Sequence, residues 1–177
     1  MATLIRTARL TETSLIVHWC SEQRGLVKTV AKGALRPKSP FSGKLDLFFE
    51  AELVYIPSRT SDLHTLKEVS VVNPRKQIRL SYESTLAAAC FIRWVEVVSE
   101  PEAPIPETAD LLRRALNYLD EKGADMKAIL HFEKQLATFS GVYSGRKTAA
   151  DDLGEAFGTK PVQREELFRK IQSKLHN

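Results

Sequence analysis

Residues 45–55 read LDLFFEAELVY. In an extended chain, Leu45, Leu47, Phe49, Ala51, Leu53 and Tyr55 fall on one side, and Asp46, Phe48, Glu50, Glu52 and Val54 on the other. A period of two is what a strand with one buried face requires, so this stretch is expected to be the longest strand of the molecule. Runs of the same kind lie on either side of it, at Thr3–Leu10, Ser14–Cys20, Gly25–Lys32 and Leu63–Val72. They are separated by breaks at 11–13, 21–24, 33–43 and 57–62. Five short strands with no helix between most of them predict a small antiparallel barrel, because closing the sheet removes the edges an open ribbon would expose.

The period changes at Asn73-Pro74-Arg75-Lys76, where proline cannot continue a central strand. Leu80–Val98 is expected to be a helix with Leu86, Cys90, Trp94 and Val97 on its apolar face. Prolines 101, 104 and 106 stop it. A second helix is expected over Glu107–Glu121, ending at Gly123, and a third over Asp125–Ser140, with Gly141 as its cap. The stretch Tyr143–Lys160, rich in Gly, Ser, Lys and Asp, has no clear period. Thr159-Lys160-Pro161 can open a last helix carrying Leu167, Phe168, Ile171 and Leu175. The class is thus α+β, all-β then all-α: a barrel over residues 1–76 and a helical domain over 77–177 whose tail, from 143, is unassigned.

Of 177 residues, 43% are hydrophobic and 27% charged, ordinary material for one sizeable core or two small ones. The N-terminus MATLIRTARL is not a secretory signal, and the longest apolar run, Leu86–Ile92, is far short of the ~20 residues a membrane span needs. A soluble, cytoplasmic protein is expected. Cys20 and Cys90, each in an apolar context, read as buried free thiols.

Catalytic and metal chemistry finds no foothold. His18, His64, His131 and His176 are scattered, and none has ligand spacing to another His, Cys or acid. Ser14, Ser39 and Ser140 lack a nucleophile elbow, and the glycines at 141 and 145 have the wrong spacing for a phosphate loop. Asp151-Asp152 reads as a solvated helix start. No enzyme, no cofactor and no metal are expected.

Charge is the informative feature. Residues 1–80 hold 13 Lys and Arg against 7 Asp and Glu, a balance of +6, whereas residues 81–177 hold 13 against 15, a balance of −2. Between Gln23 and Leu45 stand Arg24, Lys28, Lys32, Arg36, Lys38 and Lys44 with no acid among them. Small barrels bind oligonucleotides across such a strand and loop, with cations on phosphates and aromatic side chains as stacking platforms. Phe41 in the loop and Phe48 on the outer face of the long strand are the stacking candidates. A solvated sheet face accounts for the same charges, so the residues alone leave both readings open.

Several blocks carry a family resemblance: Thr13-Ser-Leu-Ile-Val17, Ser21-Glu-Gln-Arg-Gly-Leu26, Val30-Ala-Lys-Gly-Ala34 with Arg36-Pro-Lys-Ser39, and Leu63-His-Thr-Leu-Lys-Glu68. They resemble the N-terminal domain of the RecO family of bacterial recombination mediators. Phe132-Glu133 with Leu136 and Gly141 is similar to a helix of that family's second domain. The resemblance implies an oligonucleotide-binding (OB) barrel joined to a helical domain, binding of single- and double-stranded DNA, and strand annealing. It also implies cooperation with RecR and single-stranded DNA-binding protein in loading RecA. Arg24, Lys28, Lys32, Arg36, Lys38 and Lys44 inherit a DNA-contact role from it. Many members carry a four-cysteine zinc module after the glycine matching Gly141; residues 142–177 contain no cysteine, and typical members are longer.

Three readings follow: a non-catalytic DNA-repair mediator, an interaction adaptor without DNA competence, and an RNA-binding barrel, told apart from the first by the 2′-hydroxyl. For partner docking, Arg113, Arg114, Lys127 and Lys134 are candidates to receive an acidic, apolar-ended peptide such as the tail of a single-stranded DNA-binding protein. Pairing of these cations with Glu107, Asp110 and their neighbours is the plainer alternative.

Overall fold

A computed structural model describes residues 1–175; His176 lies outside the described residues, as does the side chain of Leu175. The chain divides into two compact units. One is Met1–Arg75 with Glu100–Pro106, and the other is Lys76–Ser99 with the residues from Glu107 on. The proline loop after the first long helix therefore belongs with the barrel, a return that the linear order of the chain does not reveal.

The first unit is a closed five-stranded barrel. Its strands are β1 (Ala2–Arg9), β2 (Leu15–Ser21), β3 (Gly25–Ala31), β4 (Glu50–Ile56) and β5 (Leu63–Asn73), in the spatial order β1-β2-β3-β5-β4. Four pairings are antiparallel, with β4 returning to β1 through Ala2↔Ala51 and Thr3↔Glu50. The fifth, β3 with β5 through Lys28↔Leu63, Thr29↔His64 and Val30↔Thr65, is parallel, which corrects the all-antiparallel expectation. The core comprises Leu4, Val17, Trp19, Val27, Leu66 and Val69 with their neighbours. Trp19 is wholly buried and donates its indole N–H to Thr29 Oγ1 at 2.9 Å, so the one polar atom of the largest core side chain is satisfied.

The long strand expected over residues 45–55 begins only at Glu50. Its start is displaced because Phe48 adopts φ +73°, which breaks the alternation; Phe48 and Phe49 are both buried, at 4% and 9% exposure. The left-handed backbone costs about 1–2 kcal/mol for a non-glycine residue. Burying both rings offsets it, at about 1.5–3 kcal/mol per fully buried side chain. Reciprocal hydrogen bonds, Phe48 N–H to Leu4 O at 2.9 Å and Leu4 N–H to Phe49 O at 2.8 Å, tie the segment to β1.

Arg75 closes this corner from the end of β5. It is 1% exposed, donates to Glu50 Oε2 at 2.8 Å and to the Phe48 carbonyl at 2.8 Å, and approaches Thr3 Oγ1 at 3.4 Å. A position that reads in sequence as part of a linker is thus a buried charge pinning three segments.

The loop 100–106 lies against the β2–β3 hairpin, with Glu102 N–H on Leu26 O at 3.3 Å and Ile105 N–H on Glu22 O at 3.1 Å. Gly25, at φ +62°, allows this approach, since a Cβ there would sit 2.0 Å from Ala103 O. Gly25→Ala is expected to cost roughly 3 kcal/mol in urea denaturation, combining left-handed strain with a backbone clash. A loss below about 1 kcal/mol would show that the loop does not seat on the hairpin.

The second unit opens with a 3₁₀ turn, Lys76–Leu80, followed by α1 (Tyr82–Val98), α2 (Pro106–Lys122), α3 (Met126–Phe139), α4 (Ala149–Phe157) and α5 (Gln163–Leu175). Side chains of Ser81, Asp125 and Thr148 accept the free N–H groups at the starts of α1, α3 and α4. α4 is the element that the sequence left unassigned. Asp152 of α4 accepts from the Ser144 backbone at 2.7 Å and from its hydroxyl at 2.9 Å, fixing the turn after Gly141. α1 is central, burying Ala87, Ala88, Phe91, Trp94 and Val95, with Phe91 stacked on Phe132 of α3 at 4.1 Å. Glu133, 1% exposed, accepts from Arg164 Nε of α5 at 2.6 Å and from Trp94 Nε1 at 3.3 Å, joining three helices.

Candidate nucleic-acid interface

The segment after β3 is not a slack tether. Successive turns bond Arg36 N–H to Gly33 O at 3.1 Å, Ser39 to Arg36 at 3.0 Å, Ser42 to Ser39 at 3.1 Å and Lys44 to Phe41 at 3.0 Å. Leu35 N–H donates to Thr13 O at 2.9 Å, and Gly33 N–H to Ser14 Oγ at 3.3 Å, which fastens the loop to the β1–β2 turn. Phe41, 6% exposed, is driven into the barrel core as its anchor. This removes Phe41 and Phe48 as stacking platforms, because both rings are already buried. What the loop displays is charge: Lys32, Arg36, Lys38 and Lys44 are all exposed.

The other two predicted cations stand elsewhere. Lys28 is midway along β3 and bonds Asp62 Oδ2 at 2.7 Å, the two side chains being 42% and 58% exposed. The hydrogen bond and charge of Lys28 hold the Asp62 carboxyl below the usual carboxylate range. Arg24 is in the β2–β3 turn, at the opposite end of β3 from Lys32. At about 3.3 Å per residue, a strand of this length separates them by roughly 20 Å. The six charges of the basic block therefore form one cluster of four and two outliers.

Two arginines of β1 also stand outside the predicted basic block. Arg6 is the register partner of His18, which in turn is the partner of Lys28. Arg9 lies near the loop end of the barrel, opposite Leu15. Attention to the acid-free block hid both arginines, although the excess charge of residues 1–80 already counted them.

Asp62→Asn is expected to release Lys28 for phosphate and to tighten single-stranded DNA binding roughly two- to fivefold, the range of an exposed pair. Unchanged or weaker binding in an anisotropy titration would place Lys28 outside the contact.

In the helical unit the four docking candidates are not brought together on one surface feature. Arg114 and Lys127 border a cleft of about 390 Å³ with a floor including Phe91, Leu111 and Phe132, and His131 stands at its rim. Arg114 Nε donates to Asp110 at 2.7 Å, and Arg113 bonds the same carboxylate, as the pairing alternative anticipated. Lys134 instead lies over the Tyr143 ring at 5.5 Å.

Remaining polar groups serve structure. His64 accepts from Ser58 N–H at 3.1 Å and stacks on Tyr55 at 5.2 Å. Cys20 and Cys90 are free and buried, and burial pushes both thiols up to about 12. Among the described residues no cluster of three His, Cys, Asp or Glu is placed to hold a metal ion. No helix among them is long and apolar enough to cross a membrane.

Comparison with known proteins agrees with the resemblance read from the sequence blocks. Residues 1–75 match the family model described as recombination protein O N terminal. The chain is 29% identical over 141 residues to the DNA repair protein RecO of Rhodopirellula baltica, covering 80% of this chain and 52% of that protein. It is 32% identical over 144 residues to the RecO of Salinibacter ruber, with 80% and 55% covered. To the RecO of Idiomarina loihiensis it is 31% identical over 130 residues, with 73% and 55% covered. The chain spans about half the length of the curated relatives it matches.

Proposed function

Because residues 1–75 match the recombination protein O N-terminal family and the chain is similar to RecO proteins beyond them, we propose that this is a non-catalytic DNA repair and recombination protein. The barrel binds single- and double-stranded DNA through its loop cations and promotes annealing of complementary strands. The observation that carries this reading is the clustering of Lys32, Arg36, Lys38 and Lys44 on a loop held in place by turns and by Phe41. An anchored display presents its charge without the ordering cost a slack loop would incur on binding. Neutralising phosphates on two strands lowers their mutual repulsion, which is the physical requirement for annealing. The test is the annealing rate of complementary oligonucleotides at low salt: acceleration that fades as salt rises supports the reading, and no acceleration overturns it.

The helical unit supplies the second half of the proposal, recruitment to DNA coated by single-stranded DNA-binding protein so that a recombinase can be loaded, in concert with a RecR-like partner. The cleft beside Arg114 and Lys127 suits an acidic peptide ending in apolar side chains: cations border it and aromatic rings line its floor. With a labelled peptide of that composition, Lys127→Glu is expected to abolish binding while Lys134→Glu, outside the cleft, preserves it. Equal loss in both would remove the cleft from the account. An adaptor without DNA competence is the alternative, and it predicts peptide binding with no annealing.

A further inference from the structure

We propose that the cleft under the basic loop is a slot for one unpaired nucleobase, so that a single strand gains a contact that a duplex lacks. The inference rests on the reading of the barrel as a DNA-binding unit and says what holds a base once Phe41 and Phe48 are excluded as platforms.

An open cleft of about 290 Å³ lies where the loop meets the start of β2, with Leu15, Leu35, Pro37, Phe41 and Leu45 on its lining and Arg36 beside them. Leu15 pairs with Ala31, the last residue of β3, so the cleft is at the end of the barrel from which the loop departs. Leu15, Ala34 and Leu45 pack against the barrel core and Phe41 is part of it, which gives the cleft fixed walls. Leu35 differs from them. It is 45% exposed although its N–H is bonded to Thr13 O at 2.9 Å, so a large apolar side chain is held in the open among cations.

Arg36 lies across the first turn of the loop. Gly33, at φ +67°, leaves room for it: a Cβ there would meet Arg36 Cδ at 3.3 Å and Nε at 3.5 Å. The side chain thus runs back over Gly33 while staying exposed, and a guanidinium so placed is a planar cation that stacks on a base. Ser42 adds to the lining a hydroxyl able to donate or accept at a base edge.

Charge decides the occupant. Lys32, Arg36, Lys38 and Lys44 are carried by the same loop and outnumber the acids that flank it, Glu12 and Asp46. The matching ligand is a polyanion with flat, apolar-faced groups between its charges, which describes single-stranded nucleic acid. In a duplex the bases are stacked and paired, and phosphates alone reach such a surface. The volume stands at the low end of the roughly 300–1,000 Å³ of small-ligand sites, which is room for one base rather than a run of them.

One stacked base is worth roughly five- to a hundredfold in affinity, and aliphatic walls in place of an aromatic ring put the expected gain near fivefold. The measurement is anisotropy of a labelled oligothymidylate and of an abasic oligonucleotide of equal length and charge, at one salt concentration, for the unaltered protein and Leu35→Asn. Leu35→Asn removes an apolar wall without changing charge. The expected result is about fivefold tighter binding of the oligothymidylate by the unaltered protein, and loss of that difference in Leu35→Asn with the abasic strand still bound, which also shows that the variant is folded. Equal affinity of the two strands for the unaltered protein, or the same difference retained in Leu35→Asn, overturns the inference while leaving the phosphate grip intact. Displacement of neither strand but saturable binding of an acidic, apolar peptide that Leu35→Asn abolishes would assign the slot to a protein partner and overturn it too. No binding of either strand by the unaltered protein overturns the DNA-binding reading and this inference with it.

Discussion

Replacing Arg75 by methionine is expected to remove about 3–5 kcal/mol of stability, because Glu50 is then left charged, buried and unpaired. The side chain also holds the Phe48 carbonyl at 2.8 Å, in the one segment where a phenylalanine takes a left-handed backbone. Losing it loosens both the corner and the start of β4. A loss of this size consumes a large part of the 5–15 kcal/mol typical of a domain, so partial unfolding at room temperature is expected. The double variant Glu50→Leu, Arg75→Met is expected to recover most of the loss, since removing both charges avoids the desolvation penalty that one alone incurs. Urea denaturation followed by circular dichroism reads both. A single-variant loss below about 1 kcal/mol would mean that water reaches Glu50.

The second large effect concerns binding. Converting Lys32, Arg36, Lys38 and Lys44 together to alanine is expected to weaken single-stranded DNA binding by two to three orders of magnitude at 0.1 M salt. The figure comes from about 0.7 in the log-log salt slope for each lost contact, over the decade of salt below 1 M. All four side chains are exposed and the loop is held by backbone bonds and Phe41, so the fold is expected to persist. Arg24→Ala, at the far end of β3, is expected to leave affinity close to that of the unaltered protein. If Arg24→Ala weakens binding as much as the quadruple change, the interface covers the whole barrel rather than one end.

The contrast between Arg24 and the loop cations shows which parts of the structure could be read from the sequence. Alternation located β1, β2, β3 and β5 to within a residue or two, because one face of each packs on the core and period two is a local property. It failed at 45–49, where Phe48 at φ +73° breaks the alternation and two successive rings are buried; nothing local announces a left-handed phenylalanine. Phe41 misled for a related reason: an aromatic among basic residues looks like a stacking platform, but a long connection needs an apolar anchor and this ring is it. Arg75 and Glu50 are 25 residues apart, and Lys28 and Asp62 are 34 apart, so their pairing is a product of the barrel's closure. Helix positions were legible from apolar spacing; α4 was not, being short and interrupted by Gly154.

The most direct test of the central claim is the salt dependence of single-stranded DNA affinity for the unaltered protein. Four to six engaged cations predict a log-log slope of roughly −3 to −4. An affinity insensitive to salt, or no binding at low salt, would contradict the assignment of the basic loop as a DNA contact.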